Sequence, residues 1–274
     1  MTSATCDQFS ALAEQLLRAC PEIDTHDPIA LHAELSALVK WLDLVFERMA
    51  LDSGAEQMGA SDRIEQSILE TAGFFESFST DKLVDLDDGQ ARTPAVCYQC
   101  YPRLSERELA NLGLWTCAAQ CGRNEDQAGI GRFRTFHMRE IVLVGAAQQV
   151  RDERARWMDK ISHFARSLEL KVELQSAADC FFATEESRGR RLLQQVKGLK
   201  FELQVAGGGP CNGMAIASFN LHETFFARRF RLQLRDGEDA YSGCIAFGLE
   251  RWALALALQL GNQRVFALPK EKIS

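Results

Sequence analysis

At 274 residues, 46% hydrophobic and 25% charged, the chain can hold one large domain with a substantial core and at most a small appendage. A formal net charge of -7 argues against a non-specific nucleic-acid binder, because a phosphate backbone demands a basic surface, although a local basic patch stays open. No stretch is long and apolar enough to span a membrane, and Asp7 and Glu14 stand where a signal peptide would be basic and then apolar, so a cytoplasmic protein is expected.

The first fifty residues read as helical. Phe9, Leu12, Leu16 and Leu17 share one face, and Leu31, Leu35, Leu38, Leu42 and Phe46 recur at helical spacing, with Pro21 and Pro28 between the two segments. Those faces suit core or dimer packing. After the polar stretch Asp52–Ser61, a third helix is expected over Arg63–Phe78. Thr93–Pro102 is apolar, aromatic and bounded by prolines, which reads as a short strand ending in a turn.

Nine cysteines without a secretory signal are expected to be mostly reduced, small core residues. Two local pairs, Cys97-x-x-Cys100 and Cys117-x-x-x-Cys121, could also form a structural four-thiolate zinc site. A catalytic zinc would instead take three protein ligands and leave one position open.

Cys117–Val144 reads as two extended runs joined by a Gly-rich loop, the second ending in Ile141-Val142-Leu143-Val144. Arg123 and Glu125 fall on one side of an extended strand, where they suit a phosphate oxygen and an exocyclic amine. Phe136 could cover a base, and Arg132 or Arg134 could reach polyphosphate. An exposed hairpin of mixed charge is the plainer alternative.

Beyond it, Ala146–Leu170 reads as an amphipathic helix with Val150, Trp157, Ile161, Phe164 and Leu168 inward. Arg188, Arg190, Arg191 and Lys197 form a basic cluster that could meet an acidic partner or be a solvated helix face. Leu199–Val205 alternates as a strand, and Gly207-Gly208-Gly209-Pro210 lacks the Lys-Ser/Thr of a phosphate loop, so it reads as a turn. Gly243–Arg251 is a glycine-punctuated strand that turns into an apolar helix reaching Leu260, with Glu250-Arg251 at its start.

Arg123-x-Glu125, a loop, and then Phe136-His137-x-x-Glu140-Ile141-Val142 resemble motif 2 of class II aminoacyl-tRNA synthetases. Gly248-Leu249-Glu250-Arg251 resembles their motif 3. The run FHMREIV is most similar to the zinc-dependent seryl-tRNA synthetases of methanogens, and closer still to their truncated relatives, the amino acid:[carrier protein] ligases. The likeness extends roughly from Thr71 to Leu260. ILETAGFFESF stands where motif 1 is expected, without its Pro.

The resemblance implies an α+β fold, a class II antiparallel sheet flanked by helices, in a homodimer. It implies a single catalytic domain over the whole chain, with residues 1–60 as a helical extension too short and too little basic for a tRNA-binding domain. Arg123 and Arg251 would serve catalysis. ATP would be held by Arg123, Glu125, Phe136 and Arg251, and Asn220 would touch the amino acid. Cys97, Glu140 and Cys244 would hold zinc, leaving a position for the amino group of a small amino acid. Ser218, Asn220, Phe226, Arg228 and Arg229 resemble a seryl-enzyme segment, whereas Met214 and Ala217 stand where a Glu and a Ser would help bind the Mg2+ that accompanies ATP. Glu202 is then the better carboxylate for it.

The implied reaction is ATP-dependent formation of glycyl- or alanyl-adenylate, followed by transfer to the phosphopantetheine thiol of an acyl carrier protein that docks on Arg188, Arg190 and Arg191. No membrane or tRNA partner is expected. Two other readings are tRNA charging and a non-catalytic synthetase paralogue that regulates a partner.

Overall fold

The computed structural model describes residues 33–77, 83–86, 88–105, 107–124, 131–177, 198–209 and 211–260. Its first part comprises α1 (Ala33–Leu51), β1 (Glu56–Gln57), β2 (Arg63–Glu65), α2 (Gln66–Thr71), α3 (Phe74–Ser77) and β3 (Gln90–Arg92). A 3-10 turn (Val96–Gln99) then leads into α4 (Cys100–Leu104), β4 (Glu108–Leu109), β5 (Gly113–Gly122), β6 (Thr135–Gly145) and α5 (Ala147–Ser167). The remainder is β7 (Val172–Ser176), β8 (Lys200–Val205), β9 (Ala215–Glu223), α6 (Phe225–Phe230), β10 (Gln233–Leu234), β11 (Tyr241–Gly248) and α7 (Leu249–Leu260).

Seven strands form one sheet in the order β1-β5-β6-β11-β9-β8-β7, antiparallel throughout except where short β1 joins β5. The expected antiparallel sheet with flanking helices is therefore present. Its centre is β6 and β11, buried almost end to end, as strands covered on both faces must be. Alternation decides which side each residue serves. Ile141, Leu143, Ile245, Phe247 and Phe219 join the core beneath α1, α5 and α7, where Phe46 stacks on Phe247 with centroids 4.1 Å apart. Val142, Val144, Cys244 and Ala246 join a second core on the opposite face, roofed by α4, α6 and the 3-10 turn.

Arg139 points into the helix layer. Only 4% exposed, it donates to Asp43 at 2.6 and 3.1 Å, to Glu47 at 3.2 Å and to the Thr116 hydroxyl at 3.1 Å, which fastens α1 to the sheet. The α5 spacing places Val150, Trp157 and Ile161 in the core as expected, while α7 is buried on nearly every side from Leu249 to Leu258.

Two sequence expectations are corrected. Arg63–Phe78 is not one helix: Arg63–Glu65 pair with β3, and Gly73, at φ +70°, ends α2 before α3 begins. A Cβ at Gly73 would also strike the Arg229 guanidinium at 2.8 Å, so the break is a close approach as well as a turn. Thr93–Pro102 is not a strand but the 3-10 turn and the start of α4. Cys97, Cys100, Tyr101 and Leu104 are all buried, and their spacing is that of one helical face rather than of a pleated strand. The expected helical face over Phe9–Leu17 lies outside the described residues, as does Leu31.

Candidate active site

The second face of the sheet gathers the candidate site residues. Cys97 comes from the 3-10 turn, Glu140 from β6 and Cys244 from β11, and their ligand atoms all lie within 4.8 Å of one another. All three side chains are buried. Cys244 Sγ is 3.5 Å from Glu140 Oε1, and the Cys97 backbone N–H donates to the other carboxylate oxygen of Glu140. Register explains the convergence: Glu140 pairs with Ala246 on one side and with Cys117 on the other, so Cys244 is the adjacent outward residue of β11.

Burial raises the Glu140 carboxyl above its ordinary range, against the hydrogen bonds from Cys97 and Cys244. The Cys97 thiol is pushed up by its hydrogen bond to Cys244, by burial and by the Glu140 charge. For Cys244, the Cys97 contact pulls down, but burial and Glu140 outweigh it. Three buried acidic groups, each raised above its ordinary range, form a donor set that a divalent cation would relieve. The spacing fits zinc as well: bond lengths of about 2.3 Å to sulfur and 2.1 Å to oxygen give a tetrahedral S–O edge of roughly 3.6 Å.

The four-thiolate arrangement is corrected. Among the described residues the only group of side chains so placed that they could hold a metal is Cys97, Glu140 and Cys244. Cys100 and Cys117 instead contact each other, Sγ to Sγ, at 3.1 Å, and Cys121 sits alone in the apolar core with its thiol strongly raised by burial.

Arg123 follows β5 and donates from Nε to the Pro94 carbonyl at 2.7 Å. Its guanidinium lies 5.3 Å from the centroid of the Phe136 ring, an arrangement suited to a cation–π contact. Phe136 is four residues before Glu140 on β6, about 13 Å along the strand. Arg251, near the start of α7, donates to the Gly131 carbonyl at 2.7 Å and the Ala215 carbonyl at 3.1 Å. Neighbouring Glu250 is buried and accepts the His137 N–H at 2.9 and 2.8 Å and its ring Nδ1 at 2.7 Å, tying α7 to β6. Glu125 lies outside the described residues, and so do Arg188, Arg190, Arg191 and Lys197.

Asn220 donates to Cys244 Sγ at 3.3 Å, beside the Cys97–Glu140–Cys244 cluster. Gly243 permits this closeness, since a Cβ there would meet the Asn220 carbonyl at 2.7 Å. Glu202 faces the same side from β8, opposite Ser218, with its carboxylate 3.2 Å from Lys200 Nζ. Ala217 is buried in the helix-side core, and strand alternation gives Ser218 to the open face. Met214 packs against the same core and crowds Gly131.

Sequence reasoning missed His222 and Tyr101. His222 Nε2 is 3.8 Å from Cys244 Sγ, and its Nδ1 is 3.0 Å from the Tyr101 hydroxyl. The available signal was period two from Asn220 along an extended strand, which puts His222 on the same face.

No family model matches the chain. Amino acid–[acyl-carrier-protein] ligase 1 of Bradyrhizobium diazoefficiens is 36% identical over 166 residues, 60% of this chain and 51% of that protein. Ligase 2 of the same organism is 34% identical over 166 residues, again 60% of this chain and 49% of the relative. The chain thus spans about half the length of the curated relatives it matches. Among solved structures, the seryl-tRNA synthetase of M. kandleri in complex with A. aeolicus tRNASec superposes with a TM-score of 0.73 at 18% identity, covering 88% of this chain and 56% of that one. The sheet, its two faces and these likenesses together give the chain the fold of a class II aminoacyl-tRNA synthetase, with a sequence similar to the amino acid–[acyl-carrier-protein] ligases.

Proposed function

We propose that the protein activates a small amino acid, glycine or alanine, with ATP and passes it to the phosphopantetheine thiol of an acyl carrier protein. In the first half-reaction the amino-acid carboxylate attacks the α-phosphorus and pyrophosphate leaves. In the second the carrier thiol attacks the acyl carbon of the adenylate and AMP leaves. The observation that carries this reading is the buried cluster of Cys97, Glu140 and Cys244 on the sheet face that also bears Phe136. The similarity to two amino acid–[acyl-carrier-protein] ligases supports the acceptor.

In this reading Cys97, Glu140 and Cys244 would hold zinc, which would supply a Lewis acid for the amino group of the substrate. Phe136 covers the adenine, and Arg123 neutralises the charge that grows on the α-phosphate. Arg251 supplies a second guanidinium from α7 once it yields a carbonyl partner to the nucleotide. Glu125 would accept from the adenine amine, and Glu202 with Ser218 would help hold the Mg2+ that accompanies ATP. Asn220 limits the room beside the amino group, which favours glycine or alanine over larger side chains. Arg188, Arg190 and Arg191 receive the acidic carrier, and the working unit is a homodimer.

Amino-acid-dependent pyrophosphate exchange, run across the twenty amino acids, tests the first step. Glycine or alanine should give the highest exchange, and Arg123→Ala should lower it by roughly 10²–10³-fold. Preference for a bulky aromatic amino acid would overturn the assignment. A tRNA-charging activity is the second reading, favoured by the fold likeness to a seryl-tRNA synthetase that is bound to tRNA. Label from the amino acid recovered on phosphopantetheinylated carrier, and not on tRNA, decides for the ligase.

A further inference from the structure

We propose that His222 is a positioning residue for the metal centre: its Nε2–H donates to the Cys244 thiolate and holds that ligand in place, with Tyr101 fixing the ring. The inference rests on reading Cys97, Glu140 and Cys244 as metal ligands, and adds a role for a side chain outside that set.

Three observations converge on it. His222 Nε2 lies 3.8 Å from Cys244 Sγ, within reach of an N–H···S contact, while Nδ1 lies 3.0 Å from the Tyr101 hydroxyl. Tyr101 is fully buried, and among the described residues its hydroxyl has this one hydrogen-bond partner. A buried hydroxyl proton left without an acceptor is costly, so the Tyr101 O–H donates to Nδ1. With Nδ1 accepting, the ring proton lies on Nε2, the nitrogen that faces the sulfur.

The surroundings fix the ring as well as the tautomer. Phe226 meets His222 edge-on with centroids 4.8 Å apart and stacks on Tyr101 at 4.4 Å, and Tyr101 stacks in turn on Phe230. Together with Asn220, which donates from 3.3 Å, His222 gives Cys244 two donors from β9. A thiolate ligand keeps lone pairs that its metal bond does not use, and two fixed donors orient them. Outer partners of this kind govern metal affinity as well as ligand orientation.

The test compares two variants that both fill the ring's space, His222→Gln and His222→Leu, in the full-length protein. Cobalt serves as the probe, with its dissociation constant measured against a chelating dye and its thiolate charge-transfer band recorded. The Leu variant should bind cobalt about 10–100-fold more weakly with a displaced band, and the Gln variant, which keeps an N–H, should stay close to wild type. Tyr101→Phe should move the band in the same direction as the Leu variant. Equal affinity and an unmoved band in the Leu variant would overturn the role of His222 while leaving the metal centre standing. Equal weakening in Leu and Gln would also overturn it, since that pattern reports packing rather than a hydrogen bond. Wild-type protein that takes up no cobalt would remove the metal centre, and this inference with it.

Discussion

Forty-three residues separate Cys97 from Glu140, and 104 separate Glu140 from Cys244, yet one pocket gathers all three. Each alone has an ordinary explanation: a small core thiol, a strand carboxylate, another core thiol. Arg139, the nearest cation in sequence to Glu140, points to the other face, which leaves Glu140 without that counter-charge. Arg123 favours the Glu140 charge, yet burial leaves the carboxyl raised, and a divalent cation would let the three buried acids ionise together. Purified protein should therefore hold about one zinc per chain, since three ligands suffice for a site with one open position. Elemental analysis of Cys244→Ala should find that zinc lost, whereas Cys121→Ala should keep it. Retention in the first and loss in the second would return the metal to the cysteine pairs. The motif residues Arg123, Phe136 and Glu140 were legible because family patterns mark them. His222 was not, because its role depends on a tyrosine from a helix 121 residues away.

Among the elements, those with one strong period were readable. Leu38, Leu42 and Phe46 on α1 and the alternation of β8 fix face and type before any tertiary contact is known. Short pieces were not, because Arg63–Glu65 and Val96–Leu104 take their form from what they pack against. The joint between α1 and the sheet can be weighed directly. Arg139→Met removes a buried guanidinium from Asp43 and Glu47, which are 31% and 21% exposed and can partly rehydrate. That exposure discounts the loss from the 3–5 kcal/mol typical of a broken buried pair to about 1–3 kcal/mol. Urea unfolding should show the midpoint fall with an unchanged slope. An unaltered midpoint would mean that α1 is held by Phe46 and its apolar neighbours alone.

For the molecule as a whole, the concentration of buried thiols sets a response to alkali. Cys117 is raised by its contact with Cys100 and by burial, Cys121 and Cys211 mainly by burial, and Cys97 and Cys244 as described. An unfolded thiol ionises near pH 8.5, so above about that value the unfolded chain gives up protons that the folded chain keeps. Their contribution to stability is complete below that pH and is lost as pH climbs. The melting temperature of metal-free protein should thus fall between about pH 8 and pH 10, and a flat profile would contradict the burial of these groups. Zinc-loaded protein should fall less, because Cys97 and Cys244 are then deprotonated in the fold as well. No helix among the described residues is long and apolar enough to cross a membrane. The parity of β6 has a genetic counterpart. Its successive residues Arg139 and Glu140 serve opposite sides, so the strand acts as a two-letter reading frame. One codon inserted between Phe136 and Arg139 would carry Arg139 among the cysteines and turn Glu140 to the helix-facing side, and two codons would restore the phase.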